Sequence, residues 1–195
     1  GYNPSKYYSG RGALEAANLG IHLKENEIAF RCNLITVNDD ILVDYSAGHI
    51  STKEAEVLIK FIDEKLGEDS IRFYPGVSYR HIAIFKSNVD FQVGDLYKLK
   101  CTPPHNITGK QFTENLPRGK HKDILIKLME ASRGFLEKHE INKVRIDLKE
   151  NPANMIWLWG QGKAPDMPPF VEEFGVKGSV ISAVDLIKGI GKIIG

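Results

Sequence analysis

The sequence predicts an α+β fold, a mostly antiparallel sheet with helices packed on it. Residues 28–37 alternate between an apolar side (Ile28, Phe30, Cys32, Leu34) and a polar one carrying Arg31 and Asn33, the two-residue period of a strand with one buried face. Two longer segments repeat apolar residues at helical spacing, Ala55, Ile59, Ile62 and Leu66 in one, Ile124, Leu128, Ala131 and Phe135 in the other. Two pairs of short β-rich runs are separated by turn residues, which is the pattern of hairpins feeding one sheet.

Taken in order, Ser9-Gly10-Arg11-Gly12 is expected to be a loop, its small neighbours leaving Arg11 open to a ligand; a plain turn arginine is the alternative. The strand of residues 28–37 turns at Asn38-Asp39-Asp40 into a second strand, Ile41 to Asp44. Ser51-Thr-Lys-Glu54 is a capping-box pattern, so the helix begins there, and Gly67 ends it. Ile71–Tyr74 and Ser78–Phe85 form a second hairpin around Pro75-Gly76. Pro103, Pro104 and Pro117 forbid a continuous helix over 86–120, which is left as a long functional loop region. A second long helix runs from about His121 to His139, Met155–Trp159 is a strand, Pro165–Pro169 a linker, and Ser179–Ala183 a strand feeding a short terminal helix.

Composition narrows the function classes. With 26 basic against 25 acidic residues no global field draws the chain to nucleic acid or to an anionic membrane, so any anion site must be local. No apolar run approaches the roughly 20 residues that span a bilayer. Cys32 and Cys101 belong to no paired motif, which argues against a zinc ribbon or disulfide scaffold and points to a reducing, cytoplasmic setting. Both ends look cut: Gly1 replaces a methionine, and Leu186–Gly195 ends on apolar residues with no evident partner inside the chain, which predicts a sticky surface at Ile190, Ile193 and Ile194.

The chemistry-bearing candidates are basic. In Asn154-Met-Ile-Trp-Leu-Trp-Gly-Gln-Gly-Lys163 an apolar strand opens into glycines and one ammonium, a junction suited to an anion or a hinge; Lys163 is a phosphate clamp or an ordinary linker lysine. Arg31 sits on the polar face of a strand, where a rigid fork matches a carboxylate or phosphate; a solvated sheet face or a structural ion pair is the alternative. Arg80 and His81 are consecutive in a strand and must face opposite ways, leaving Arg80 as the anion contact and His81 as either a core histidine or a proton donor. His105 follows Pro103-Pro104, which either position a ligand contact or merely stiffen the loop. Asp44-Tyr-Ser-Ala-Gly-His49 is assigned to a loop and not to metal, and no His/Asp/Glu cluster has ligand spacing.

These segments also carry a resemblance. Asn154–Lys163, Gly1-Tyr-Asn-Pro4, Gly10-Arg-Gly-Ala13, Ala29–Asn33, Ala47–Thr52, Phe73–Gly76, Tyr79-Arg-His81, Lys100–His105 and Gly178–Asp185 resemble, in the same order, the archaeal-type cofactor-independent phosphoglycerate mutases of the alkaline phosphatase superfamily. The resemblance implies a substrate-clamping insert domain over 13–158, flanked by edges of a doubly wound phosphatase core at 1–12 and 159–195. It implies a glycolytic and gluconeogenic enzyme interconverting 2-phosphoglycerate and 3-phosphoglycerate through a phosphoserine, with two divalent ions of the manganese, magnesium or zinc class. The family's serine motif precedes the segment that opens this chain, so no catalytic residue is expected here. The expected role is substrate binding by Arg31, Arg80 and Lys163, with Arg11 and His105, in a chain inactive alone and partnered by the missing core. A stand-alone module binding an anionic metabolite or a protein is the rival, and a phosphatase or phosphonate-processing relative a third reading.

Overall fold

The computed structural model describes residues 2–195; Gly1, in the first of the resembling segments, lies outside them. Its elements are α1 (Pro4–Tyr7), α2 (Arg11–Asn18), β1 (Glu27–Asn38), β2 (Ile41–Asp44), α3 (Thr52–Leu66), β3 (Ile71–Val77), β4 (Arg80–Lys86), α4 (Val93–Tyr97), α5 (Lys122–Leu136), α6 (Glu140–Asp147), β5 (Met155–Lys163), α7 (Phe170–Phe174) and α8 (Asp185–Ile194). The α+β expectation holds.

β1 is the axis of the sheet. Over residues 28–33 it pairs antiparallel with β4 and with β5, so the two lie on opposite edges of it, while its last residues turn back through the Asp39 region onto β2 and β3 closes the β4 side. Ile28, Phe30, Cys32 and Leu34 are fully buried and join one core with Ala55, Leu58, Ile59 and Ile62 of α3 and Leu125, Met129 and Leu136 of α5. α3 starts where the capping box places it: the Ser51 hydroxyl accepts the Glu54 N–H while the Glu54 carboxylate accepts the Ser51 N–H.

The opposite face is covered by α2 and, outside it, α8. Ala16 of α2 packs on Ala29, Ile82 and Ile84. That approach is nearly backbone on backbone. A Cβ on Gly12 would lie 2.4 Å from the Ala29 carbonyl oxygen, one on Gly162 2.3 Å from the Ser9 oxygen, and one on Gly10 1.9 Å from the Gln161 oxygen. Gly10-Arg11-Gly12 is therefore not a loop: Gly10, at φ 112, caps a helix whose first residue is Arg11. The Gly160–Gly162 stretch is not the end of a strand either, because β5 runs on to Lys163 with one extra residue opposite Ala29–Arg31 and Gly160 at φ 61.

Other boundaries shift for identifiable reasons. The β3–β4 turn sits at Ser78-Tyr79, with Ser78 at φ 53, and Pro75-Gly76 falls in an irregularity within β3. The buried face of α5 is Leu125, Met129, Ser132 and Leu136, one residue along from the expected stripe, and Ala131 is exposed. Ser132 is tolerated there because its hydroxyl donates to the Met129 carbonyl and accepts the Ile156 N–H. The expected helix to His139 ends at Leu136, and α6, short and mostly polar, follows it. Ser179–Ala183 is not a strand, since no neighbouring strand offers it a ladder. α8 does have an internal partner: Gly189 lies against the Leu14 carbonyl, where a Cβ would be 1.8 Å away. Ile190, Ile193 and Ile194 are half-buried, and the exposed apolar residues are instead Val180, Ile181, Val184 and Ile187, Ile181 at 99%. Among the described residues no helix is long and apolar enough to cross a membrane.

Gly12→Ala should destabilise the chain by roughly 2 kcal/mol or more, because the Ala29 carbonyl is main chain and cannot step aside. Gly134→Ala, inside α5 with open space around it, should stabilise by about 0.5–1 kcal/mol. Urea midpoints of the two variants measured side by side check both signs.

Candidate functional site

The sheet register builds the site. Arg31 lies opposite Trp159 on β5, and Asn33, two residues along and so on the same face, lies opposite Arg80 on β4. The Arg31 guanidinium sits 4.7 Å over the Trp159 ring and the Arg11 guanidinium 5.5 Å over it. Trp159 is held in turn by its indole N–H, which donates to Asn33 Oδ1 at 3.0 Å. Glu15 of α2 enters between the two arginines, 3.2 Å from Arg31 Nε and 3.5 Å from Arg11 Nε. Arg80 pairs with Asp185, the first residue of α8, at 3.1 Å, and Asn18 Nδ2 also donates to that carboxylate.

An aromatic wall completes one side. The His105 ring is 5.5 Å from Trp159 and 6.2 Å from Tyr45, and Tyr45 meets Tyr79, over which Arg80 lies at 5.8 Å. Buried Pro104 sets His105 at the start of a tight turn, Pro104–Asn106. Tyr45 comes from the loop assigned above to structure and not to metal. Asp44 accepts hydrogen bonds there from the Ser46 N–H and hydroxyl and from the Gly48 N–H, and Ala47, Gly48 and His49 all take positive φ.

Electrostatically the site is a concentrated cation only partly neutralised. Arg31 is 4% exposed, and burial lowers its pKa, with the neighbouring Arg11 and Arg80 charges adding and Glu15 opposing. Burial, with the Arg11 and Arg31 charges, also lowers the pKa of His105 and so favours its neutral ring. A cleft of about 520 Å³ adjoins Arg11, lined among others by Tyr8, Tyr97, Pro103, Trp159 and Gln161, whereas Arg80 lines a separate small pocket with Glu15, Asn18 and Asp185.

Of the expected site residues, Arg11, Arg31, Arg80 and His105 come together. Lys163 stands further off: its ammonium lies 5.3 Å over the ring of Tyr97, which lines the same cleft as Arg11, and its Cα pairs with Ile28, three residues of β1 from Arg31 and about 10 Å along the sheet. His81 is a core histidine. It is 1% exposed, its Nδ1 accepts the Gly76 N–H at 3.0 Å, and burial pushes its pKa down to about 3. Glu15 went unnoticed in the sequence, yet the Arg11–Glu15 spacing of four was the signal once the segment is known to be a helix. Tyr45 and Tyr79 carried no comparable signal. Among the described residues no group of three or more His, Cys, Asp or Glu side chains is placed to hold a metal ion, so these residues alone offer the implied divalent ions no donor set.

Residues 1–142 match the family of 2,3-bisphosphoglycerate-independent phosphoglycerate mutases. The chain belongs to that family. It is 51% identical over 191 residues to the enzyme of that name from Methanosarcina mazei, covering 98% of this chain and 47% of the relative, and 50% identical over 191 residues to that of Methanothrix thermoacetophila, covering 98% and 46%. The solved cofactor-independent phosphoglycerate mutase of Thermoplasma acidophilum superposes with a TM-score of 0.67 at 27% identity, covering 100% of this chain and 52% of that one. The chain thus spans about half the length of the curated relatives it matches. The strands that carry Arg31, Arg80 and Trp159 lie within the half that this chain shares with them.

The buried imidazole gives the fold a pH dependence. His81 takes up a proton near pH 6.5 when unfolded but only near 3 when folded, so the unfolded state gains protons as pH falls through that window and stability drops with it. His105 and His139, also lowered by burial, act in the same direction. Urea midpoints from pH 7.5 to pH 4 should therefore fall, and His81→Asn, which keeps an acceptor near the Gly76 N–H, should flatten the curve by most of one proton.

Proposed function

We propose that these residues form the substrate grip of a phosphoglycerate mutase, with Arg31, Arg11 and Arg80 holding the carboxylate and phosphate of 2- and 3-phosphoglycerate. The observation that carries this is the buried Arg31 held 4.7 Å over Trp159, with Arg11 5.5 Å over the same ring and the Nε atoms of both buried without a hydrogen-bond partner. A guanidinium is costly to bury, and one whose fork is left without a protein partner is suited to an anion that arrives from outside. His105, neutral and at the rim, offers a further hydrogen bond to the ligand. In the complete enzyme the phosphoryl group moves between the two hydroxyls of glycerate while this grip holds the acid. The two divalent ions supply charge stabilisation from residues other than those described here.

We further propose the division suggested by the resemblance, with 13–158 as the substrate-clamping body and 1–12 and 159–195 joining it to a phosphatase-type core; Arg11 and Trp159 then lie in the joining segments, so the grip is completed where α2 and β5 cross those boundaries. The support is an apolar groove of about 600 Å³ between Phe170, Val180, Ile181 and Ile194, which fits further polypeptide of the same enzyme better than it fits water. A stand-alone module would have closed that seam.

Titration calorimetry with 3-phosphoglycerate tests the grip. The chain should bind it with an affinity that falls with added salt, and Arg11→Met and Arg80→Met should each weaken binding about ten- to hundred-fold, the loss of about 1.5–3 kcal/mol expected for a charged hydrogen bond. Lys163→Met should leave affinity unchanged. Equal losses from all three would point to general charge attraction and remove the assigned site.

A further inference from the structure

We propose that Glu15 is a positioning residue of the grip: it holds Arg11 and Arg31 by their Nε edges and so aims both forks at the same anion. This rests on the reading of the site as a phosphoglycerate grip. The carboxylate is 6% exposed and sends one oxygen to each arginine, Oε1 at 3.5 Å from Arg11 Nε and Oε2 at 3.2 Å from Arg31 Nε. Both Nε atoms are buried with no hydrogen-bond acceptor aligned to them, so this charge is what faces them. Trp159 holds both guanidinium groups against one ring, and Glu15 holds the Nε end of each. The two restraints together limit where the remaining nitrogens point.

The pair is poorly explained by helix stability. Arg11 is the first residue of α2, where a cation opposes the helix dipole, and an arginine preceding its glutamate by four is the weaker order for such a pair. Nor is Glu15 a surplus solvent-facing charge. It spans from α2 to β1, joining two elements that meet at Gly12 with no side chain between them. A fixed fork also loses less freedom when the anion arrives, which is how preorganisation reaches affinity. Gly160 belongs to the same arrangement: a Cβ there would only touch Arg11 Cβ at 3.6 Å and Arg31 Cγ at 3.8 Å, and it is the φ of 61 that calls for glycine beside the two stems.

The sign of one substitution decides the matter. Coulomb attraction alone makes Glu15→Gln bind an anion more tightly, because a negative charge beside the site is gone. Positioning predicts the reverse. We expect Glu15→Gln, assayed well below its unfolding temperature, to weaken 3-phosphoglycerate binding at least five-fold. Glu15→Asp, which keeps the charge one methylene short, should recover thermal stability more than affinity. In the Arg31→Lys background, which has no Nε edge to hold, Glu15→Gln should cost less than two-fold. Arginine Nε–H resonances of ¹⁵N-labelled chain give a readout independent of ligand: two slowly exchanging signals in the parent should be lost in Glu15→Gln. Loss of those signals in a chain whose parent does not bind 3-phosphoglycerate would support the positioning and overturn the grip reading. Preserved signals, or unchanged or tighter binding in Glu15→Gln, would overturn the inference about Glu15.

Discussion

The structure depends on one contact, the seating of α2 on the sheet with no side chain between. Gly12 lets the first turn of the helix touch β1 and β5, and Gly162 lets β5 touch Ser9 just before it, main chain to main chain. Everything at the site follows from that depth. A helix held off by even one methyl group would carry Glu15 away from Arg31 and lift Arg11 off Trp159. The apolar half of the same seating, Ala16 against Ala29, Ile82 and Ile84, supplies the hydrophobic gain that holds the helix down. Packing and recognition therefore share one interface.

The electrostatics explain why such a site is built into a sheet and not onto a loop. Burying Arg31 costs free energy and lowers its pKa, and the Glu15 charge opposes that shift. A flexible loop would relax and let the guanidinium escape to water. A strand in the middle of five, paired on both edges, does not permit this. Arg80, by contrast, is held by Asp185 at the start of α8, so the third cation of the group is tied to an element that also packs on α2. The site is braced from the sheet on one side and from the two helices on the other.

Much of this was legible in the sequence. The alternation in residues 28–37 gives β1 and its faces, and the Ser51–Glu54 capping box gives the first residue of α3. Arg31, Arg11, Arg80 and His105 stand out by type and neighbours. What the sequence does not show is register and depth. Placing Trp159 opposite Arg31 requires knowing which residues of β5 and β1 pair across more than a hundred positions, and the extra residue at Gly160 shifts that pairing. Glycines at 10, 12, 160 and 162 look like loop and hinge residues because the same property that frees a turn also permits close contact, and only the partner strand tells the two apart. The α5 stripe moved by one residue because Ser132, polar by type, is a core position satisfied by Ile156. Lys163 stands out in the sequence as a compact charge beside two glycines, but only the register shows that it pairs with Ile28 and that its ammonium rests over Tyr97.

Membership of the phosphoglycerate mutase family and the clustering of arginines over one tryptophan meet in a single claim, that the acid is gripped on the β1–β5 face beneath the start of α2. A crystal structure of the chain with 3-phosphoglycerate bound tests it most directly. The account predicts an oxyanion of the ligand in the plane of the Arg31 and Arg11 forks, above Trp159 and within reach of His105. Ligand density at any other surface, with both forks still empty, would contradict it.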